Sequence, residues 1–238
     1  MGRIKRYRTA ISRYQHSKGF GLHSPFAFSF ARSVLRERSP YYCYERLGQL
    51  RRMVIDRTRH HLRHPRVISL KSAKMVFRVT NHFNPGEILQ IGTSYGVSSA
   101  SMLMVSSRSH LTLFEPRLGE FPVTRDVLSE FGPRVTHCAS LAEAAETYQR
   151  RLGPGQPFVL ANSVADDHEY RDVMGYLKQA LAGQCVVMVR NISRSSRMRA
   201  LWSECKELTP HGMTFSNDKT AIIVANAKLP RQDFSMWF

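Results

Sequence analysis

Three observations predict an open α/β sheet, mostly parallel, that ends in an antiparallel hairpin and follows a basic helical N-terminal segment. From residue 87 onward, short Val/Ile/Leu-rich runs alternate with stretches of helical spacing. Two such runs near the C-terminus flank a turn tripeptide, and the first 83 residues show helical punctuation but no strand pattern.

The elements follow in order. Ser24-Pro25 starts a helix, because Ser caps free amides and Pro fits the first helical position. Phe26, Phe28, Phe30, Val34 and Leu35 give that helix an apolar side, and Gly19-Phe20-Gly21, Pro40 and Pro65 punctuate the segment. Tyr41 to Arg59 is a second helix, with Tyr42, Leu47, Leu50 and Val54 near helical spacing. Met75, Val76, Val79 and Phe83 mark a third, which ends before the breaker Asn84-Pro85-Gly86. Strands are expected at Glu87–Ile91, His110–Glu115, Arg134–Cys138, Pro157–Ala161 and Gln184–Val189. Helices are expected to start near Gly96, Glu120, Ser140, Asp167 and Ser195. This alternation argues for parallel strands covered by helices. His211–Ser216 and Thr220–Ala227 flank Asn217-Asp218-Lys219, a hairpin signal. The expected organisation is a basic helical extension over 1–83 and a sheet domain over 84–238.

The charge is lopsided. Residues 1–78 carry 19 Lys+Arg against 3 Asp+Glu, whereas the remaining 160 carry 16 against 15. An anionic partner for the N-terminal helices is one expectation, nucleic acid or a membrane surface being examples; solvated helix faces are the other. No nucleic-acid-binding motif accompanies the charge. Four scattered cysteines (Cys43, Cys138, Cys185, Cys205) show no metal-ligand spacing and suit a reducing, cytoplasmic setting. The N-terminus does not read as a signal peptide, and the uncharged stretch from Ile88 to Ser107 is too rich in Gly, Ser and Thr to span a bilayer.

The chemistry concentrates after the first strand. Ile88-Leu89-Gln90-Ile91-Gly92-Thr93-Ser94-Tyr95-Gly96 is a buried apolar strand entering a glycine turn and then a helix. A nucleotide ligand needs close approach to backbone at this point, which a side chain at Gly92 would obstruct. The next strand ends at Glu115, 19 residues beyond Gly96, near the spacing at which an acid grips ribose hydroxyls. The turn is Gly-x-x-x-Gly and not GxGxxG, which disfavours a pyrophosphate and favours a ligand without phosphates, such as S-adenosyl-L-methionine (SAM).

With these residues in view, the sequence resembles a bacterial family of class I SAM-dependent methyltransferases with a catechol O-methyltransferase-like, Rossmann-like core. Gly21-Leu22-His23-Ser24-Pro25-Phe26-Ala27-Phe28 and Pro40-Tyr41-Tyr42 resemble its G-x-HSPF-x-[FY] and PYY segments. Ile88 to Ser98 resembles its ILELGTSxGIS loop, with Gln90 in place of the usual acid. His168-Glu169-Tyr170 resembles its H-x-Y, and Met198 and Trp202 its M-x-x-A-W. The resemblance implies that Gly92, Thr93, Ser94 and Gly96 line the methionine and ribose side, that Glu115 holds the ribose, and that Ala139-Ser140 lies near the adenine.

Departures accompany these matches. The family's IDGNH acid at the end of the fourth strand is Asn162 here. Its FDDIHWS becomes Val189-Arg190-Asn191-Ile192-Ser193-Arg194-Ser195, which loses both acids and the His. Hard divalent cations need several oxygen ligands, preferably charged, so no metal site is expected by the usual route.

Asp167 and His168 are the candidate catalytic pair, in the acidic cluster Asp166-Asp167-His168-Glu169 after the fourth strand, with His168 as general base. Helix capping is the structural alternative for Asp167. Arg190, Arg194, Arg197 and Arg199 suit an anionic substrate or a solvated face. His23 reads as a joint between helices and core or as a cover over the substrate pocket, and His60, His61 and His64 as surface residues. Two functional readings stay open. One is a methyltransferase acting on an oxygen or nitrogen acceptor without the usual metal. The other is a binding protein on a methyltransferase scaffold with an eroded catalytic edge, a pseudoenzyme whose basic helices engage an anionic partner.

Overall fold

The computed structural model describes residues 24–59, 67–93, 95–120 and 122–238. Gly19 to His23, His60, His61, His64, Pro65 and Ser94 lie outside these residues.

Helix α1 (Pro25–Phe30) starts as expected, with Ser24 Oγ accepting the Ala27 N–H at 3.4 Å, and runs on as a π turn over Ala31–Leu35. Helices α2 (Cys43–Thr58) and α3 (Leu70–Phe83) follow. Asn84 ends α3 in the left-handed conformation (φ 44°), its N–H donating to Thr80 O at 2.7 Å, so the breaker acts through an αL cap. The alternating part comprises β1 (Glu87–Ile91), α4 (Val97–Leu103), β2 (His110–Phe114), α5 (Pro122–Ser129), β3 (Val135–Cys138), α6 (Leu141–Leu152) and β4 (Phe158–Ala161). It continues with α7 (Asp167–Leu181), β5 (Cys185–Arg190), α8 (Ser196–Leu208), β6 (Gly212–Ser216), β7 (Thr220–Ala225) and β8 (Gln232–Ser235). All seven expected strands form. The eighth, β8, has no counterpart in the sequence expectations, because its short polar stretch carries no strand pattern.

The chain divides into two compact units: Ser39–Val164, and Ala165–Phe238 together with the described part of Met1–Arg38. In the first, four parallel strands lie in the order β3-β2-β1-β4. Strands β1, β2 and β4 are largely buried because helices cover both faces, whereas β3 at the end of the row buries only Cys138. Parallel crossovers are right-handed, so α4 and α5, which step from β1 towards β3, lie on one face. The return through α6 to β4, beyond β1, puts α6 on the other. The strand order therefore reverses direction between β1 and β4, and crevices outside the carboxyl ends of strands at such a switch point are where open α/β sheets bind ligands. Tyr148 fixes α6 to β4: its buried hydroxyl accepts the Phe158 N–H at 2.8 Å and donates to Phe158 O at 3.3 Å.

In the second unit, β5 and β7 pair antiparallel, β7 and β6 pair antiparallel as the expected hairpin, and β8 adds in parallel to β6. Asn217 Oδ1 organises the hairpin turn by accepting the N–H groups of Lys219 and Thr220. Helix α1 joins this unit through Phe30, whose ring meets Phe215 of β6 at 4.9 Å, and Phe215 in turn stacks on Phe234 of β8 at 5.3 Å. Among the described residues, no helix is long and apolar enough to cross a membrane.

Candidate nucleotide site

The site is assembled by strand register. Ile91 pairs with Phe114 of β2 and with Ala161 of β4, and Phe114 pairs with Cys138 of β3. The next residue of each strand therefore falls in one row along the carboxyl edge: Ala139, Glu115, Gly92, Asn162. Neighbouring strands lie about 4.8 Å apart, so the row spans the size of a nucleoside. The three expected contact points of an adenosyl ligand (Gly92, Glu115 and Ala139) thus lie on adjacent strands of one unit.

Gly92 has φ 71°, and a Cβ there would stand 2.2 Å from Ser163 Oγ. Glycine is needed both for that backbone conformation and for the close approach of the chain leaving β4. The space expected for a ligand beside Gly92 is taken in part by Ser163. At Gly96 (φ 77°) a Cβ would lie 3.0 Å from Val127, so this glycine lets α5 pack against the start of α4.

Glu115 is buried, with 3% of its surface exposed, and it locks the turn. Its Oε2 accepts the Thr93 N–H at 3.0 Å and its Oε1 accepts the Arg117 N–H at 3.3 Å. Thr93 Oγ1 accepts the Gly96 N–H at 3.0 Å, and His137 Nε2 lies 2.7 Å from Glu115 O. A carboxylate offers about four acceptor sites, so two remain for a pair of ribose hydroxyls after the two backbone bonds. Ser140 caps α6, its Oγ accepting the Glu143 N–H at 3.2 Å, and Ala139 beside it is exposed.

Behind the turn lies a buried polar network that sequence reasoning did not find. Gln90 Nε2 donates to Gly92 O at 2.8 Å and lies 3.3 Å from Ser98 Oγ. Asn162 Nδ2 reaches the same two acceptors, each at 3.1 Å. Gln90 Oε1 accepts the Ser99 hydroxyl at 2.8 Å. Both amides were visible in the sequence as replacements for acids, but nothing in it joined them.

The expected catalytic pair sits at the start of α7, in the other unit. Asp166, not Asp167, caps this helix: its Oδ1 accepts the N–H groups of His168 and Glu169, both at 2.9 Å. These backbone donors hold the Asp166 carboxyl below its ordinary value. Asp167 pairs with Arg197 Nε at 2.7 Å, and Arg197 also donates to Ala165 O. His168 has 80% of its side chain exposed, with Nδ1 3.1 Å from Asp172 Oδ2. At the end of β5, Arg190 is buried and its guanidinium is lowered to about 10, by desolvation first and by nearby Arg194 second. It stays cationic at neutral pH.

The fold is that of the class I SAM-dependent methyltransferases, with mostly parallel strands and a C-terminal antiparallel hairpin. Solved structures similar to the chain bear this out. A methyltransferase from Geobacter sulfurreducens aligns at 14% identity and TM-score 0.56, covering 86% of this chain and 97% of its own. An O-methyltransferase from Bacillus cereus, solved with S-adenosylhomocysteine (SAH), aligns at 15% and 0.54, covering 81% and 96%. The O-methyltransferase of tomaymycin synthesis from Streptomyces achromogenes, solved with SAM, aligns at 17% and 0.51, covering 82% and 94%. Searches against family models and curated proteins found no match.

Proposed function

We propose that this protein binds SAM at the carboxyl edge of β1, β2 and β3 and transfers its methyl group to an oxygen or nitrogen acceptor without the usual divalent metal. The observation that carries the reading is the Glu115 latch: a buried carboxylate at the end of β2, anchored by two backbone N–H groups, with acceptor capacity left for a ribose diol. Gly92, Thr93 and Gly96 would shape the methionine side, with Ser94 between them in sequence, and Ala139 and Ser140 would flank the adenine. The bound cofactor supplies a sulfonium-activated methyl group. The protein's own share is chiefly to orient the acceptor. His168 is the proposed base: Asp172 fixes Nδ1, which leaves Nε2 to take the acceptor's proton, while Asp167 steadies the loop through Arg197.

Metal independence is supported by residue chemistry at two strand ends. Asn162 turns its N–H₂ group towards Gly92 O and Ser98 Oγ, and Arg190 puts a cation at the end of β5. The test is transfer of labelled methyl from SAM to a panel of phenols, catechols and amines. Transfer that persists in excess EDTA is expected, and loss of activity on chelation would contradict this reading.

A second reading is favoured by the same two strand ends: a pseudoenzyme that keeps the cofactor turn and uses its basic N-terminal helices on an anionic partner. It expects association with DNA, RNA or anionic vesicles that weakens steeply with salt. The four cysteines are free and buried, which suits the proposed cytoplasmic location.

A further inference from the structure

We infer that Gln90 and Asn162 form a neutral amide clamp that sets the Gly92 turn in its ligand-ready shape, with Asn162 acting as a positioning residue for the cofactor site through its N–H donors. This inference rests on the proposed SAM site.

Gly92 O has two lone pairs and is reached by two amide nitrogens, Gln90 Nε2 at 2.8 Å and Asn162 Nδ2 at 3.1 Å. The same two nitrogens lie 3.3 and 3.1 Å from Ser98 Oγ, and Ser99 donates to the remaining oxygen of Gln90. Gln90, Asn162, Ser98 and Ser99 are all buried, with at most 1% of any of them exposed. Gly92 is the residue through which β1 enters the turn, and its φ of 71° aims the next peptide at Glu115. Holding its carbonyl from both sides fixes that peptide plane, and with it the Thr93 N–H that latches Glu115. The clamp also closes the switch point, since Asn162 leaves β4 and Gly92 leaves β1 in register.

The resembled family carries acids at both positions, whereas in this chain both side chains donate to Gly92 O. A carboxylate at position 162 would face the Gly92 carbonyl acceptor to acceptor in a buried site, whereas a protonated carboxyl recovers one donor. Burial favours the neutral form of such a carboxyl, so its protonation falls above the ordinary carboxylate range. Asn162→Asp should therefore bind poorly at high pH and recover as pH falls. Losing a buried hydrogen bond of this kind weakens binding about tenfold.

The test is calorimetric titration of the full-length protein with SAH from pH 5 to 8, on wild type, Asn162→Asp and Asn162→Ala, each shown to be folded by circular dichroism at every pH used. Affinities are taken relative to wild type at the same pH. The expected result is a loss of about tenfold for Asn162→Asp at pH 8 that shrinks towards wild type at pH 5, with a loss in Asn162→Ala that does not change with pH. Gln90→Glu should repeat the aspartate pattern. If wild type binds SAH and Asn162→Asp keeps wild-type affinity while only its melting temperature falls, the amides are merely structural and the inference is overturned. A pH-independent loss in Asn162→Asp overturns it as well. If wild type fails to bind SAH at any pH, the SAM-site reading fails, and the clamp's positioning role fails with it.

Discussion

Gly92 is strained for any other residue in two independent ways, and each can be measured. A methyl group at this position must adopt φ 71° and must also displace Ser163 Oγ from 2.2 Å. Gly92→Ala is expected to cost about 2–4 kcal/mol in urea unfolding. Adding Ser163→Gly should return only part of this, because the Ser163 backbone O and N remain 3.0 and 3.1 Å from the new Cβ. Glu115 makes the complementary prediction. Glu115→Gln trades a carboxylate oxygen for an amide donor facing backbone N–H groups, so SAH affinity should fall about tenfold by calorimetry, and Glu115→Ala should fall further. An unchanged affinity in both would remove Glu115 from the site.

At the scale of elements, one hydroxyl ties α6 to β4. Tyr148→Phe leaves the buried Phe158 N–H without its side-chain partner and is expected to cost about 1–3 kcal/mol in denaturant unfolding. The basic helix α2 behaves differently. Arg46 and Arg57 pair with Glu130 and Asp126 near α5, Arg59 with Asp56, and Arg51 donates to Ile68 O. These are exposed or partly exposed links, so Arg46→Ala and Arg57→Ala should each cost no more than about 1 kcal/mol. Part of the positive charge that the sequence suggested for a partner is thus engaged within the protein. Most elements were legible in the sequence because burial from both faces writes β4 as an apolar run, β5 as one up to Arg190, and β1 as one broken only by Gln90 after its first residue. Strand β8 was not, since Gln232–Ser235 buries only Phe234 and owes its pairing to β6 rather than to its own pattern. Gly92 and Glu115 were legible from strand ends and Ala139 from the family resemblance, while their row emerges only from the strand register. The clamp was not, because its partners lie 64 and 70 residues apart and only the register of β1 with β4 joins them.

At the scale of the whole molecule, the cysteines report on packing. All four are buried, and desolvation raises the thiols, Cys43 to about 11 and Cys185 and Cys205 to about 12. Thiolate is the reactive form, so native protein at pH 8 should resist iodoacetamide while urea-unfolded protein takes up four labels, counted by mass spectrometry. Rapid labelling of the folded chain would show that these cores open readily. The central claim, a SAM-type site on the carboxyl edge of β1 to β3, has a more direct test in calorimetric titration with SAH. Wild type is expected to bind saturably with one ligand per chain, Gly92→Val to abolish binding, and Glu115→Ala to weaken it. No heat of binding from wild type at millimolar SAH would contradict the claim.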